Sequence, residues 1–206
     1  MAKEKVKKEK VKKERNIYKR IINIVFVIII LMLIMISIDV ISVSRYGKGP
    51  YFAIPLKTYE EGTKEYYGLG YKVIKYNQIQ GRRDKEIGLW TLKYNTKPID
   101  LDDVDLAIAF RKDEEKAYKK YYKKFLRVKS TLKEIDEKKN IVTIGYTDED
   151  GKYTMDIICT LVPEQTNIVA FEKNKKITVI GTVNNYKGST KKENKKLYIK
   201  NCIAQQ

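Results

Sequence analysis

Residues 21–43 read IINIVFVIIILMLIMISIDVISV, and only Asn23, Ser37, Asp39 and Ser42 interrupt a run of aliphatic, Met and Phe side chains. At 1.5 Å of rise per residue the uncharged stretch 21–38 covers roughly 27 Å, and one further turn reaches the ~30 Å of a hydrocarbon core. A single segment in lipid must satisfy its backbone hydrogen bonds internally, which only a helix can do. The pattern therefore predicts a transmembrane helix that opens at Ile21 and closes at Val43. Asp39 falls near the far headgroups in this reading. At mid-bilayer its charge would cost several kcal/mol.

The flanks orient the span. Residues 1–20 hold ten Lys or Arg against three Glu, whereas Arg45 and Lys48 are the only basic residues just after it. Basic residues close to a span stay in the cytoplasm, so the sequence predicts a cytoplasmic N-terminus and residues 45–206 outside. The competing reading is a cleaved secretory signal, for which Ser42-Val43-Ser44 offers a weak small-x-small site. The apolar run is much longer than an ordinary signal core.

Outside the span lie about 160 residues, enough for one medium or two small domains. The net charge of +17 divides into +7 for the tail, −1 for the span and +11 for the remainder. A basic domain invites a polyanion. Yet Lys outnumbers Arg 36 to 7, with Ile, Asn and Tyr abundant, the bias of an AT-rich coding sequence. Arg, the residue suited to bidentate phosphate recognition, is the scarce one. The sequence has no His, which removes Ser-His and Cys-His nucleophile systems and the commonest zinc sets. Two cysteines, Cys159 and Cys202, lack metal-ligand spacing. The sequence thus calls for no catalytic residue, no metal and no cofactor.

Along the chain, the repeated EKVKK of the tail cannot bury a core and reads as disordered or frayed. Residues 44–50 form a stalk rich in Gly and Pro. Residues 51–97 hold two aromatic segments, YYGLGYKVIKY (66–76) and LWTLKY (89–94), around a polar loop with Gly81, Arg82, Arg83 and Asp84. Aromatic and β-branched residues bounded by Gly and Asn predict a hairpin or small sheet, its rings covering an apolar face more readily than forming a ligand platform. This segment is similar to membrane-anchored proteins of clostridia-like Gram-positive bacteria, a resemblance that supplies no activity. Pro98 closes the module.

From Asp100 to about Tyr122, acid at the start and base at the end predict one helix. Leu101, Val104, Ala107, Ile108 and Ala109 would be its apolar stripe. Asp100, Asp102, Asp103 and Asp105 lack the turn Gly and distal Glu of a calcium loop and read as N-terminal capping charge. After Lys124 the period becomes two, with strands at 125–135, 141–147, 153–161, 177–186 and 197–203. The third and fourth flank VPEQTNIVAF, long enough for a helical turn or two.

Five strands with an insertion after the third match an OB barrel. The phrases YYKKF, LRVKSTLKEID, MDIICTL, KKITVIGTVNNYKG and LYIKNCIA resemble the small nucleic-acid-binding OB-fold family named for its likeness to tRNA-anticodon-binding domains. The resemblance covers about residues 100–204. It implies a ligand face on the second and third strands, flanked by the loops after the first and fourth. On the third strand Met155, Ile157, Cys159 and Leu161 should point inward, leaving Thr154, Asp156, Ile158 and Thr160 on a face with no base and no ring. The loops offer Lys138, Lys139, Lys187, Lys191, Lys192, Lys195 and Lys196, with Tyr146, Tyr153 and Tyr186 nearby. In an OB barrel the third and fifth strands are parallel neighbours, so Cys159 and Cys202 could bridge on the oxidising side of a membrane, or pack as reduced core residues.

The sequence therefore divides into tail 1–20, span 21–43, stalk 44–50, membrane-proximal β module 51–97 and a helix plus OB-like barrel 98–206. It points to a single-pass cell-membrane protein whose partners are the lipid bilayer and another protein of the envelope, with no catalytic role. The alternative is a surface-displayed binder of nucleic acid or anionic wall polymer through the Lys-rich loops. The orientation has a direct check. On intact cells stripped of wall, a tag at residue 2 should resist added protease and a C-terminal tag should be digested, and the reverse pattern would refute the orientation.

Overall fold

The computed structural model describes residues 2–165, 170–188 and 193–206, with side chains from residue 16 onward except that of residue 193. The chain forms two compact units. The first comprises residues 1–58, 64–74 and 85–92, and the second residues 59–63, 75–84 and 93–206.

In the first unit helix α1 runs Ala2–Ser44 without a break. Its Asn16–Ser44 portion is long and apolar enough to cross a membrane, although a signal sequence has the same features. A four-stranded sheet follows in the order β1-β2-β3-β4, with β1 Ile54–Thr58, β2 Lys64–Tyr67, β3 Tyr71–Lys75 and β4 Lys85–Leu89. The first aromatic stretch, 66–76, supplies the end of β2 and all of β3, whereas the second, 89–94, supplies only Leu89 to β4 and is otherwise turn and irregular chain. The polar loop is shorter than expected, because Lys85, Glu86 and Ile87 extend rather than turn.

The sheet and α1 share a small core of Val43, Ala53, Tyr71 and Val73, with Ile36, Tyr66 and Ile87 packed against it. The join depends on Asp39, whose carboxylate is fully buried. Its Oδ1 accepts the backbone N–H of Tyr51 at 2.6 Å and of Phe52 at 3.2 Å, and its Oδ2 accepts that of Ala53 at 3.0 Å. The Tyr71 hydroxyl also donates to Oδ2. Burial, and then the neighbouring carboxylate, push the Tyr71 phenol far above its ordinary range. Four donors converging on one carboxylate offset the cost of taking its charge out of water.

The second unit is an OB-like closed barrel. Strands β6 Phe125–Asp136, β7 Ile141–Thr147, β8 Tyr153–Leu161, β9 Lys176–Lys187 and β10 Glu193–Gln205 pair in the order β6-β7-β8-β10-β9, and β9 closes onto β6. All neighbours are antiparallel except β8 and β10. The inward positions follow period two, with Leu126, Val128, Leu132, Val142, Ile144, Met155, Ile157, Val179 and Leu197 all at or near zero exposure. Of the insertion between β8 and β9, residues 166–169 lie outside the described residues.

Two features depart from the expected helix at 100–122. Residues Ile99–Asp102 form a strand, β5, paired parallel to residues 126–129 of β6. There β6 has β9 on its other edge and has not yet met β7, so β5 fills an otherwise open row of backbone donors and acceptors. The helical part then breaks in two, α2 Asp103–Lys112 and α3 Glu114–Tyr121. Asp113 between them is extended and accepts the N–H of Lys116 at 2.9 Å, an N-cap where a continuous helix was expected. The buried face of α2 is Leu106, Ala107 and Phe110, while Val104 and Ile108 of the expected stripe are exposed. Phe110 stacks near Tyr186 and Tyr121, at 4.6 and 6.4 Å between ring centroids.

The Sγ atoms of Cys159 and Cys202 are bonded, with Cα atoms 5.9 Å apart. Strict alternation from Leu197 and Ile199 would turn Cys202 outward. A bulge between Ile199 and Cys202, with Asn201 at φ 52°, shifts the parity and turns Cys202 into the core. Closing a loop of this length stabilises by about 4 kcal/mol in the chain-entropy account. Gly181 lies against the bridge, where an added Cβ would meet Ile199 Cγ2 at 2.7 Å and Cys202 Sγ at 2.9 Å.

Phe110 tests the packing between α2 and the barrel. Phe110→Ala should destabilise the unit by about 3–5 kcal/mol, since a fully buried ring leaves a cavity the barrel cannot collapse into. Pulse proteolysis of the detergent-solubilised chain across a urea series measures it, and a loss under about 1 kcal/mol would mean that α2 is only loosely docked.

Candidate nucleic-acid interface

The face on which OB barrels hold ligands is formed here by β7 and β8 with the end of β6. Outward on β8 stand Thr154, Asp156, Ile158 and Thr160, as the alternation requires, and outward on β7 stand Ile141, Thr143, Gly145 and Thr147. Lys133 of β6 reaches across this surface. Its Nζ donates to Asp156 Oδ1 at 2.8 Å, to Thr147 Oγ1 at 3.3 Å and to the Tyr146 carbonyl at 3.5 Å. Gly145 makes the path. A Cβ there would lie 2.9 Å from Lys133 Nζ and 2.4 Å from the Met155 carbonyl oxygen. The pair is only partly buried and contributes about 1 kcal/mol or less. Across this face Lys133 is held by Asp156, and Tyr146 packs against the core.

The loop lysines fall into distinct settings. Lys138 and Lys139, after β6, are exposed. The backbone N–H and the ammonium of Lys139 both donate to Asp136, which holds that carboxyl below its usual range and raises the lysine. Lys187 and Lys196 are exposed and sit opposite one another across β9 and β10. Lys195 is largely buried and paired with Glu114, a departure from the solvated loop lysine expected there. Lys191 and Lys192 lie outside the described residues.

The tyrosines expected near these loops are committed elsewhere. Tyr153 is 2% exposed and donates to the Ala107 carbonyl at 3.2 Å. Tyr186 sits under Phe110 and Tyr118, and burial, with Glu114 beside it, pushes its phenol well above the ordinary range. The ring missed in the sequence is Tyr198, outward on β10 opposite Asn185 and Ile158, with the Lys187 ammonium 5.9 Å from its centroid. Its signal was available, since Leu197 and Ile199 point inward.

A second polar cluster comes from residues 75–84. The Arg82 guanidinium lies 3.9 Å over the Tyr76 ring, forks onto Asp84 at 2.8 and 3.2 Å, and donates to the Asn95 carbonyl. Asp84 also accepts from Thr182 of β9 at 2.9 Å. Tyr76 stacks on Tyr94, which stacks on Tyr59. The Arg82 donors are taken up by the chain itself, so the cluster clamps a loop rather than presenting a cation. Beside it is an open hollow of about 200 Å³ lined by Glu61, Gln78, Thr96 and Pro98. Along β5 a groove of about 320 Å³ is lined by Asp100, Asp102, Asp105 and Arg127. Among the described residues no group of three or more His, Cys, Asp or Glu is arranged to hold a metal.

A five-stranded barrel closed in this order, with an extra strand and two helices ahead of it, defines an OB-like binding domain. The chain matches the tRNA_anti-like family model over residues 12–195 and belongs to that family. Two solved structures resemble it distantly, each at 10% identity. One is a protein assigned as an aspartyl-tRNA synthetase from Leishmania major Friedlin, where the likeness covers 56% of this chain and 22% of that one at a TM-score of 0.32. The other is a murine DNA-binding protein bound to double-stranded DNA, with 75% and 92% covered at a TM-score of 0.31. No curated protein matches this sequence.

The differing lysine environments give a prediction. Lys195→Gln should cost about 1 kcal/mol by leaving Glu114 without its ammonium partner. Lys187→Gln with Lys196→Gln should change stability by less than about 0.5 kcal/mol. Equal effects in urea titrations would refute this division of the loop.

Proposed function

We propose that this protein is a non-catalytic binding or scaffold protein of the cell envelope, held by α1 as a single membrane span, with its N-terminus cytoplasmic and its barrel on the extracytoplasmic side, and that its partner is another envelope protein. The observation that carries the choice of partner is the Lys133–Asp156 pair lying across the β7–β8 face. A single-strand binder needs rings worth about 1–3 kcal/mol per stacked base along a basic track. On this face the lysine is neutralised and the outward positions of β8 are Thr, Asp and Ile. Exposed Val104 and Ile108, one turn apart on α2, suit an apolar protein contact better than a polymer. A Cys159–Cys202 bridge suits the oxidising side of a membrane.

A second reading is favoured by one arrangement. Lys187 and Lys196 face each other with Tyr198 close by, a small basic and aromatic patch in a chain of the tRNA_anti-like family. In that reading the partner is nucleic acid or an anionic wall polymer.

Salt titration separates the two. The full chain in detergent should bind single-stranded DNA, RNA or teichoic acid at physiological salt no more tightly than about 0.1 mM, the weak end of non-specific association. Micromolar binding that falls steeply with salt and is lost in the Lys187→Gln, Lys196→Gln variant would establish the second reading in place of the first.

A further inference from the structure

We propose that the β1–β4 sheet is itself seated in the membrane surface, with the end that carries Ile54, Leu69, Leu89 and Trp90 entering the boundary between lipid headgroups and acyl chains beside α1. This inference rests on the reading of α1 as a membrane span.

Three segments far apart in sequence meet at that end: 49–56 (GPYFAIPL), 66–71 (YYGLGY) and 87–92 (IGLWTL). None contains a charged residue, in a chain where 33% of residues are charged. Strand pairing brings them together. Ile54 sits opposite Tyr67, the Gly68 N–H closes onto the Tyr71 carbonyl in the turn that presents Leu69, and the Trp90 indole N–H donates to the Gly68 carbonyl at 2.8 Å. Ile54, Leu89 and Trp90 are 63%, 71% and 58% exposed. An apolar cluster gathered in this way on a domain surface marks a contact rather than chance scatter. The opposite end carries the charge, with Lys57, Lys64, Lys75 and Lys85 at its strand termini.

The geometry along α1 identifies the contact. At the start of β4 the Lys85 ammonium donates to the Gly47 carbonyl, just past the end of α1. Two residues on, Ile87 packs against the small core that includes Val43, on which Ile36 of the helix also packs. Strand β4 therefore runs back along the helix, and Leu89 and Trp90 continue roughly another 7–10 Å in that direction. A span opening at Ile21, after Arg20, needs about 20 residues to cross ~30 Å of hydrocarbon, which takes it to about residue 40. The fully exposed stretch 21–31 supplies only about 16 Å of that. The rest must come from the stretch that includes Ile36 and Asp39, which the module covers. The apolar end of the sheet is thus at the depth where the bilayer ends, the level at which Trp and Tyr collect in membrane proteins. The Trp90 N–H already has a carbonyl partner, so its ring enters the boundary with no unpaired donor.

Trp90 is the only tryptophan, which makes it a native reporter. The full chain is reconstituted in phosphatidylcholine and phosphatidylglycerol vesicles carrying nitroxide lipids labelled near the headgroup or deep in the acyl chain. Blue-shifted emission is expected, quenched more by the shallow label than by the deep one and little by aqueous iodide. Leu69→Glu with Leu89→Glu, both at exposed positions, should move the emission to the red and remove most of the shallow quenching. Iodide quenching like that of free indole, in a chain that resists alkaline carbonate extraction, would overturn the seating while leaving the span intact. Shielding from both iodide and nitroxide would also overturn it, pointing to a second copy or another protein on this surface. Release of the chain by carbonate would refute the span, and the seating with it.

Discussion

Strand β6 is hydrogen-bonded along both edges. Residues 125–131 face β9 on one side, and on the other 126–129 face β5 before 131–136 face β7. A bulge between Leu132 and Glu134 marks the passage from one set of partners to the next, the usual device for bending a long strand around a barrel. The closing pair, β6 with β9, joins segments about fifty residues apart, and its loop-closure entropy must be offset by the apolar rows that closure buries. With β5 beside residues 126–129, that stretch of β6 is paired along both edges.

In the other unit the corresponding constraint is a single carboxylate. A helix as apolar as α1 ends with backbone groups that need partners, and the chain that follows must turn back to give it a covered face. The carbonyls of Ile41 and Ser42 at the helix end take the N–H groups of Arg45 and Lys48, and Asp39 fixes the return, accepting three consecutive backbone N–H groups from 51–53 and the Tyr71 hydroxyl donor. The core between α1 and the sheet is small, so orientation there comes from polar geometry more than from buried area.

Features governed by neighbours in sequence were legible in advance. Alternation located all five barrel strands, with 141–147 and 153–161 matching to the residue, and it assigned Met155, Ile157, Cys159 and Leu161 to the interior. What could not be read depends on distant partners. Ile99–Asp102 reads as the acidic start of a helix and becomes a strand because β6 has an edge to fill. Lys195 looks like any lysine in a polar loop until α3 brings Glu114 to it. Asp39 looks like a charge at the far membrane boundary, and its partners lie 12 to 32 residues downstream. The outward positions of β8, Thr154, Asp156, Ile158 and Thr160, were legible from alternation, whereas Tyr198 beside Ile158 was not anticipated. That Gly145 opens a path for Lys133 to neutralise Asp156 requires three strands in register.

The bridge between Cys159 and Cys202 also alters how the barrel responds to force. It encloses 43 residues of sequence separation within a covalent loop. Tension applied at the far end of β10 passes straight from Cys202 to Cys159, bypassing β9 and most of β10. Roughly 150 Å of chain, at 3.3–3.6 Å per extended residue, is thereby withheld from extension. Reduction would release that length, so the contour gained in a stretching experiment would record whether the bond is closed.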